Sequence, residues 1–186
     1  MISTRLVWFP LVLAACGTDP VQYSAPVGIE LKAKSGDVAS NVVSEQKDIT
    51  TESGNPYGAF VNTAMSKLSG HAPSRIEIDQ LTLTLGAQST GVATLEEVVT
   101  GDVDVAFLVN DSNNTYDAGH AMNPTGAGPV TMSPSFDWAM VSPDDRTRML
   151  NGSFKVSLRG SAAIGFQARG ANASLETTFT FTAFEE

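Results

Sequence analysis

The chain is poor in the residues on which many functional sites depend. Its 186 residues include one cysteine and two histidines, which excludes a disulfide framework, a cysteine-rich zinc site and a histidine-rich metal site. Positive charge is also scarce, because 11 Lys and Arg stand against 20 Asp and Glu for a net charge of -9. An acidic chain repels nucleic acid phosphates. We therefore expect no nucleic acid partner.

Long hydrophobic runs are absent as well. The apolar run that follows Arg5 is too short to span a bilayer, and one positive charge ahead of such a run is typical of a secretory signal. The run ends in Leu13-Ala14-Ala15-Cys16, so the single cysteine directly follows small residues. This segment resembles the lipobox of bacterial lipoproteins. A plain secretory signal that ends near a cysteine is the alternative.

The resemblance implies that Cys16 carries lipid after residues 1–15 are removed as a signal peptide. Gly17 follows in place of Asp, which in lipoproteins of Gram-negative bacteria implies the outer membrane. Each acyl methylene buried in a bilayer contributes about 0.8 kcal/mol, so several acyl chains would hold the protein without a spanning helix. We therefore expect a protein of the bacterial envelope that reaches its membrane through an N-terminal lipid.

The remaining chain divides into a tether and a domain. Residues 16–26 contain two prolines and small polar side chains, which predicts a flexible tether. From residue 27 onward, apolar and polar residues alternate in seven or eight short segments separated by turn-rich stretches. This alternation is typical of β-strands with one buried face. We predict that residues 27–186 form a single domain.

The predicted fold class is mainly β: a single antiparallel β-sandwich, Ig-like or jelly-roll-like, with a partly closed barrel as the alternative. One or two short helices complete it. Asn55-Pro56 predicts the start of a helix over residues 56–69, and Ser142-Pro143 predicts the start of a second, shorter helix. The helical spacing places Gly58 on the wet face of the first helix.

One predicted strand needs an irregularity. Ile76 and Ile78 share one parity, whereas the apolar residues at positions 81, 83 and 85 continue on the other. One extra residue at Asp79-Gln80, a β-bulge, would return all five apolar side chains to one face.

The aromatic residues Phe136 and Trp138 have two interpretations. With Tyr116 they could form a platform that stacks on sugar rings. Their alternation with Met140 instead predicts the core face of a strand, and we favour this interpretation because the spacing fits it.

The middle of the chain is strongly acidic. No Lys or Arg occurs between Arg75 and Arg146, whereas eleven carboxylates do. Asp111, Asn113 and Asp117 could present oxygen ligands to a calcium ion from a loop, although the spacing after Asp111 does not match an EF-hand. The alternative is a set of turn residues on a solvated face. Calcium is therefore a cofactor hypothesis, and we expect no other cofactor.

No catalytic motif supports an enzyme. The chain has no GxSxG elbow and no phosphate-binding glycine loop, and its SxxK match at residues 44–47 lacks SDN and KTG partners. We expect a non-enzymatic binding or structural module whose partner is an envelope protein or a glycan. Three alternatives stay open: a calcium-stabilised adhesion or carbohydrate-binding module, an accessory subunit of an envelope complex, and an enzyme with an unrecognised site.

Overall fold

The computed structural model describes residues 21–52 and 54–185. The predicted signal peptide and Cys16 lie outside the described residues. In the described part of the chain, neither helix is long and apolar enough to cross a membrane.

In the described part of the chain, eight strands and two α-helices form the domain. The strands are β1 (Gln22–Lys34), β2 (Val42–Ile49), β3 (Arg75–Leu85), β4 (Val99–Val109), β5 (Thr115–Met122), β6 (Val130–Pro134), β7 (Phe154–Ala162) and β8 (Asn172–Phe184). The helices are α1 (Pro56–Lys67) and α2 (Pro143–Leu150). The strands pair antiparallel in one sheet, in the order β1-β8-β3-β6-β5-β4-β7-β2. The predicted mainly β, antiparallel fold with short helices is confirmed, and the single sheet is nearly closed.

The antiparallel order sorts the connections onto two ends of the sheet. β1 begins at one end, which we call the lower end, and α1, α2 and the β4–β5 turn all connect strands there. The opposite, upper end carries residues 35–41, 86–98, 123–129 and 163–171. Both α-helices therefore lie at the end where the N-terminal segment enters the domain.

Aromatic side chains fill the space between opposite parts of the sheet. Phe179 and Phe181 of β8 stack with ring centroids 5.2 Å apart. Phe107 of β4 packs against Phe179 at 5.5 Å and against Phe154 of β7 at 5.4 Å. All four rings are buried, and aromatic pairs of this kind stabilise a core beyond their buried area. The interior between these strands is therefore packed with side chains.

The predicted irregularity in β3 is confirmed. The pairing of β3 with β8 shifts between Ile78 and Gln80, so Asp79 is an extra residue. The exposed Asp79 carboxylate accepts a hydrogen bond from the Thr182 hydroxyl, which holds the bulge against β8. The apolar side chains brought to the interior are Ile76, Ile78, Leu81, Leu83 and Leu85.

Helix α1 begins where the sequence predicts. The Asn55 side chain accepts a hydrogen bond from the Tyr57 backbone N–H at 3.0 Å, and Pro56 occupies the first helical position. Tyr57 packs edge-on against Phe154, with ring centroids 5.1 Å apart. Its hydroxyl donates to the carbonyl oxygen of Met149 at 3.1 Å. One buried tyrosine thus connects α1 both to the core and to α2.

Gly58 lies on the buried side of α1, so its predicted place on the wet face is wrong. A Cβ atom at Gly58 would come within 2.8 Å of the Thr51 backbone. Gly152, which follows α2 with φ of 67°, would meet the Thr50 backbone at 2.7 Å. Helical spacing could not reveal this contact, because the partner is an irregular segment. The two glycines allow both helices to close on the segment after β2.

Strand β1 begins at Gln22, so the predicted tether is too long at its C-terminal end. Residues 22–26 pair with β8, from Gln22 opposite Phe184 to Pro26 opposite Thr180. Proline favours a tether in general, but an edge strand tolerates it because one side of the strand has no neighbour to bond. The ordered domain therefore starts at least five residues earlier than predicted.

The predicted strand around Trp138 is wrong. Residues Trp138–Met140 form a short 3-10 turn, which Asp137 caps by accepting a hydrogen bond from the Ala139 N–H at 2.9 Å. Trp138 is buried as predicted, whereas Met140 is 75% exposed. In a turn with three residues per repeat, side chains two positions apart point to different sides. The alternation in the sequence therefore did not correspond to one face.

Candidate functional site

The two edge strands of the sheet face each other across a gap, which we call the seam. Among the described residues, β1 pairs only with β8 and β2 only with β7. Residues 35–41 join the two strands at the upper end. Below this connection lies a cleft of about 640 Å³, lined by residues 28–32 of β1, residues 45–47 of β2 and residues 54–56 at the start of α1. This cleft is the candidate binding site.

Alternate residues of β1 turn their backbone groups toward the seam. The Val21 carbonyl accepts a hydrogen bond from Glu185 N–H at 2.9 Å, and Ser35 N–H donates to the Ala171 carbonyl at 2.9 Å. In an antiparallel pair, only every second residue bonds to a given neighbour. Odd-numbered residues therefore bond to β8, and even-numbered residues point their N–H and C=O groups at the seam. Those that line the cleft are Gly28, Glu30 and Lys32.

The same alternation holds in β2. Ala162 N–H donates to the Asn41 carbonyl at 2.9 Å, which assigns the odd-numbered residues of β2 to β7. The first even-numbered residue, Val42, donates its N–H to the Ala39 carbonyl at 2.9 Å. The other seam-facing backbone groups of β2 belong to Ser44, Gln46 and Asp48. Backbone groups on an open edge are able to pair with an added strand.

Two charged side chains of β2 share the face that points into the domain. Glu45 pairs with Leu158 and Lys47 pairs with Val156, and both β7 partners are buried. Directly opposed residues lie on the same face of a sheet, so Glu45 and Lys47 point inward at the open side. Glu45 is half-buried and Lys47 is exposed. The inner wall of the seam therefore carries one negative and one positive side chain.

The Glu45 carboxyl is partly withdrawn from water. Burial raises the pKa of Glu45, the negative charge of Asp37 raises it further, and the positive charge of Lys34 acts in the opposite direction. Desolvation disfavours the charged form of a carboxyl unless donors or cations compensate for the lost water. The fold therefore does not fully offset the hydration that the Glu45 carboxylate loses on burial.

Strand β1 carries a second Glu–Lys pair, on its outer face. Glu30 Oε2 lies 3.6 Å from Lys32 Nζ, and Glu30 Oε1 accepts a hydrogen bond from Ser174 Oγ at 2.8 Å. An exposed ion pair of this kind contributes little to stability. The seam is therefore bordered by two Glu–Lys pairs, each with a spacing of two residues, on opposite faces.

A separate polar cluster lies at the lower end around Asp145 of α2. Asp145 Oδ2 accepts hydrogen bonds from Asn114 Nδ2 at 2.7 Å and from Tyr116 Oη at 2.8 Å. Its other oxygen lies 3.1 Å from Arg148 Nη1. The Asp145 side chain is 1% exposed. Because Asn114 precedes β5 and Tyr116 belongs to it, these contacts attach α2 to the sheet.

Hydrogen bonds within the Asp145 cluster more than offset the cost of burying the Asp145 carboxylate. Burial by itself raises the pKa of Asp145, but hydrogen bonds from Asn114, Tyr116, Ser112 and Ser142 outweigh burial and lower the pKa to about 2. Donors that bond to the charged form stabilise it. A carboxylate with this many internal partners is part of the structure of the lower end.

The three residues of the calcium hypothesis lie in two places. Asp111 and Asn113 occupy the β4–β5 turn with φ of 67° and 55°, a region that Asp and Asn tolerate in turns. Asp117 lies within β5, opposite Ala106. Across residues 21–52 and 54–185, no group of three or more His, Cys, Asp or Glu side chains could hold a metal ion. The calcium site stays a prediction.

The aromatic residues proposed as a platform are part of the packing. Trp138 is buried, and its Nε1–H donates to the Ser74 carbonyl at 3.0 Å. Phe136 packs edge-on against Phe107 with centroids 5.1 Å apart, and the Tyr116 hydroxyl is bound to Asp145 as described above. Trp138 is therefore buried as predicted and Phe136 packs against the core, but neither residue lies on the predicted strand.

The SxxK match does not form a catalytic pair. Ser44 and Lys47 lie on the same strand with opposite parity, so their side chains point to opposite faces of the sheet.

Sequence reasoning missed the seam. Residues 38–53 lack a clear pattern because Glu45 and Lys47 occupy the parity on which Val43 and Ile49 are buried. Charged side chains at inward positions of a strand are typical of sheet edges. That interruption was the available signal, but recognising it required knowledge of the strand order.

Protein-family models, curated proteins and solved structures were compared with the chain, and none of them matches it.

Proposed function

We propose that the protein is a lipid-anchored, non-enzymatic module of the bacterial envelope that binds another envelope component at the seam. The observation that carries this proposal is the open seam in a sheet that is otherwise nearly closed and filled with side chains. The anchor follows from the resemblance of Leu13-Ala14-Ala15-Cys16 to a lipobox.

The short distance along the chain between Cys16 and the domain supports a location of the lower end near the membrane. Six residue steps separate Cys16 from the start of β1 at Gln22, and a fully extended chain covers about 20 Å in six steps. Lipid on Cys16 would therefore keep the lower end, with both helices, close to the bilayer. The upper end would project away from it, and the outer membrane is the expected location in a Gram-negative host.

The distribution of polar groups supports binding over catalysis. The carboxylate with the largest change in pKa, Asp145, is bonded to structural partners and is almost completely buried. The cleft instead presents backbone edges and the charged side chains of Glu45, Lys47 and Glu52. Open edges of this kind recognise partners through main-chain hydrogen bonds.

The anchor is tested by mass spectrometry and membrane fractionation. We expect an acylated peptide that begins at Cys16, and release of the Cys16→Ser variant into the soluble fraction. Thr18→Ala, a matched change in the same segment, should leave the protein membrane-bound. Retention of Cys16→Ser in the membrane fraction would contradict a lipid anchor.

Binding at the seam is tested by photo-crosslinking in intact cells. A benzophenone side chain at Gln46 should give a discrete adduct with an envelope component. The same side chain at Thr131, an exposed position on β6 outside the cleft, is the control and should give none. Equal yields from both positions, or no adduct from Gln46, would contradict a binding role for the seam.

A further inference from the structure

We propose that the seam takes one extended peptide segment, which adds to β2 as an antiparallel strand and is recognised by a pair of opposite charges. This inference rests on the proposed binding function and names the class of its partner. It is carried by the backbone groups that face the cleft and by the charges beside them.

The backbone groups that face the cleft favour a peptide as the ligand. The three even-numbered β1 residues that line the cleft, and three even-numbered residues of β2, direct N–H and C=O groups at the seam, and such groups pair with another backbone. A sugar or a small acid could satisfy only a few of them. Residues 28–32 span about 13 Å at the rise of a β-strand, which corresponds to a peptide stretch of about five residues.

The direction of the added strand follows from the sheet order. Because β1 and β2 are the first and last of eight antiparallel strands, a strand between them is parallel to one and antiparallel to the other. Pro26 removes one seam-facing N–H from the lower part of β1, whereas the corresponding stretch of β2 contains no proline. Antiparallel pairing is also slightly the more stable. Because β2 keeps all its seam-facing donors, we assign the more stable, antiparallel pairing to β2.

The charges on β2 specify the sequence of the peptide. Directly opposed residues of a strand pair interact, and opposite charges are favoured there. An acidic residue is therefore expected opposite Lys47 and a basic residue opposite Glu45. Since the added strand runs antiparallel to β2, the acidic residue comes first, in the order Glu-x-Lys.

The half-buried state of Glu45 agrees with this assignment. Its carboxylate has lost part of its hydration without gaining an internal donor that compensates for it, in contrast to Asp145. A basic side chain from the peptide would supply that compensation. Inward charges also protect an open edge from unspecific strand addition, because a strand without the complementary charges leaves both side chains unpaired.

The test uses the full chain in detergent and four nonapeptides with blocked ends. The first contains Glu-Thr-Lys at its centre with Thr and Val on both sides, and the second has Glu and Lys exchanged. The third is the first peptide with an N-methyl group on the central Thr, and the fourth carries no charge. Binding is measured by fluorescence polarisation, and amide hydrogen exchange reports where each peptide sits.

We expect the first peptide to slow amide exchange at Ser44 and Gln46 at least tenfold and to leave Glu45 and Lys47 unchanged. The exchanged-charge and uncharged peptides should bind at least threefold more weakly. The N-methylated peptide should bind at least tenfold more weakly, because it lacks the central backbone donor.

Two variants provide matched controls. Gln46→Pro removes a seam-facing N–H without removing a bond to β7, and it should weaken binding at least tenfold. The double exchange Glu45→Lys with Lys47→Glu keeps the composition and should reverse the preference between the first two peptides. If Gln46→Pro disturbs folding, the charge exchange still decides the question.

Three results would overturn the inference: unchanged exchange at saturating peptide, equal binding of the N-methylated peptide, or a preference unaffected by the charge exchange. Slowed exchange that grows with protein concentration in the absence of peptide would instead assign the seam to a second copy of the chain. Failure of the lipid anchor appears in the fractionation experiment alone, so the two proposals fail separately.

Discussion

The lower end and the seam each withdraw a carboxylate from water, and they treat it in opposite ways. Asp145 is buried among side-chain donors that include Asn114 and Tyr116, and its pKa falls to about 2. Glu45 is half-buried, and the pKa of Glu45 rises because desolvation and the charge of Asp37 outweigh the opposing charge of Lys34. The first carboxylate attaches a helix to the sheet. The second lies beside backbone groups that face an open gap.

The two carboxylates differ in whether their partners lie within the fold. A buried charge that is fully bonded stabilises one conformation, and removing it leaves its partners without an acceptor. A charged group that has lost hydration and has no internal donor in its place is stabilised more strongly by an external partner of opposite charge. Under the proposed function, the seam, and not the lower end, is the surface that a ligand would complete.

We expect the largest loss of stability from removing the Asp145 carboxylate at the lower end. Asp145→Ala leaves the side chains of Asn114, Tyr116 and Arg148 without their acceptor, so we expect a loss of about 2 to 4 kcal/mol in unfolding free energy. Urea denaturation of the full chain measures this value. Asp144→Ala, an exposed neighbour in the same helical turn, should cost less than about 1 kcal/mol. Equal losses for both variants would show that the cluster is not structural.

The pH dependence of stability tests the same role of Asp145. Because the folded-state pKa of Asp145 is depressed, its stabilisation is fully present above the unfolded pKa near 4 and is lost as pH falls toward 2. The shift corresponds to about 2 kcal/mol. Melting temperatures measured between pH 7 and pH 2 should fall more steeply for the wild-type protein than for Asp145→Asn below pH 4. Parallel curves would contradict the lowered pKa.

Acidification should change the stability contribution of Glu45, at the seam, in the opposite direction. The pKa of Glu45 is raised, so its ionised form costs stability at neutral pH, and protonation on acidification removes that cost. Glu45→Gln should therefore increase the unfolding free energy at pH 7 by a small amount, less than about 0.5 kcal/mol. The gain should disappear as pH falls below the raised pKa. A clear loss of stability at pH 7 would show that Glu45 has structural partners after all.

The calcium hypothesis predicts the smallest effect. Asp117 lies roughly 7 Å along β5 from its first residue, away from the turn that holds Asp111 and Asn113. If the site exists, millimolar calcium raises the melting temperature more than magnesium does, and Asp111→Ala with Asp117→Ala removes the difference. Identical curves in calcium, magnesium and sodium chloride of matched ionic strength would leave these residues as a solvated surface.

Local patterns in the sequence predicted the features that depend on neighbouring residues. The Asn55 cap, the start of α1 and the extra residue at Asp79 all follow from spacing and parity, and all three are confirmed. Trp138 shows the limit of parity, because a 3-10 turn places an alternating segment on different sides. Gly58 shows another limit, since its contact is with the remote Thr51 backbone.

The candidate site depends on strand order, which spacing does not encode. Glu45 and Lys47 become notable only once β2 is known to be the last strand and β1 the first. Asp145 likewise looks like an ordinary residue in the first turn of a helix until the fold brings Asn114 and Tyr116 to it. Both carboxylates acquire their roles from contacts between segments that are distant in the chain.

The central claim, that β1 and β2 have open edges, is tested most directly by amide hydrogen exchange in the free protein. Seam-facing amides and their ladder-bonded neighbours alternate along each strand, so each strand contains its own control. We predict that the amides of Ser44 and Gln46 exchange at least about tenfold faster than those of Glu45 and Lys47, because bonded strand amides open only through local unfolding. Equal protection along β2 would contradict an open seam.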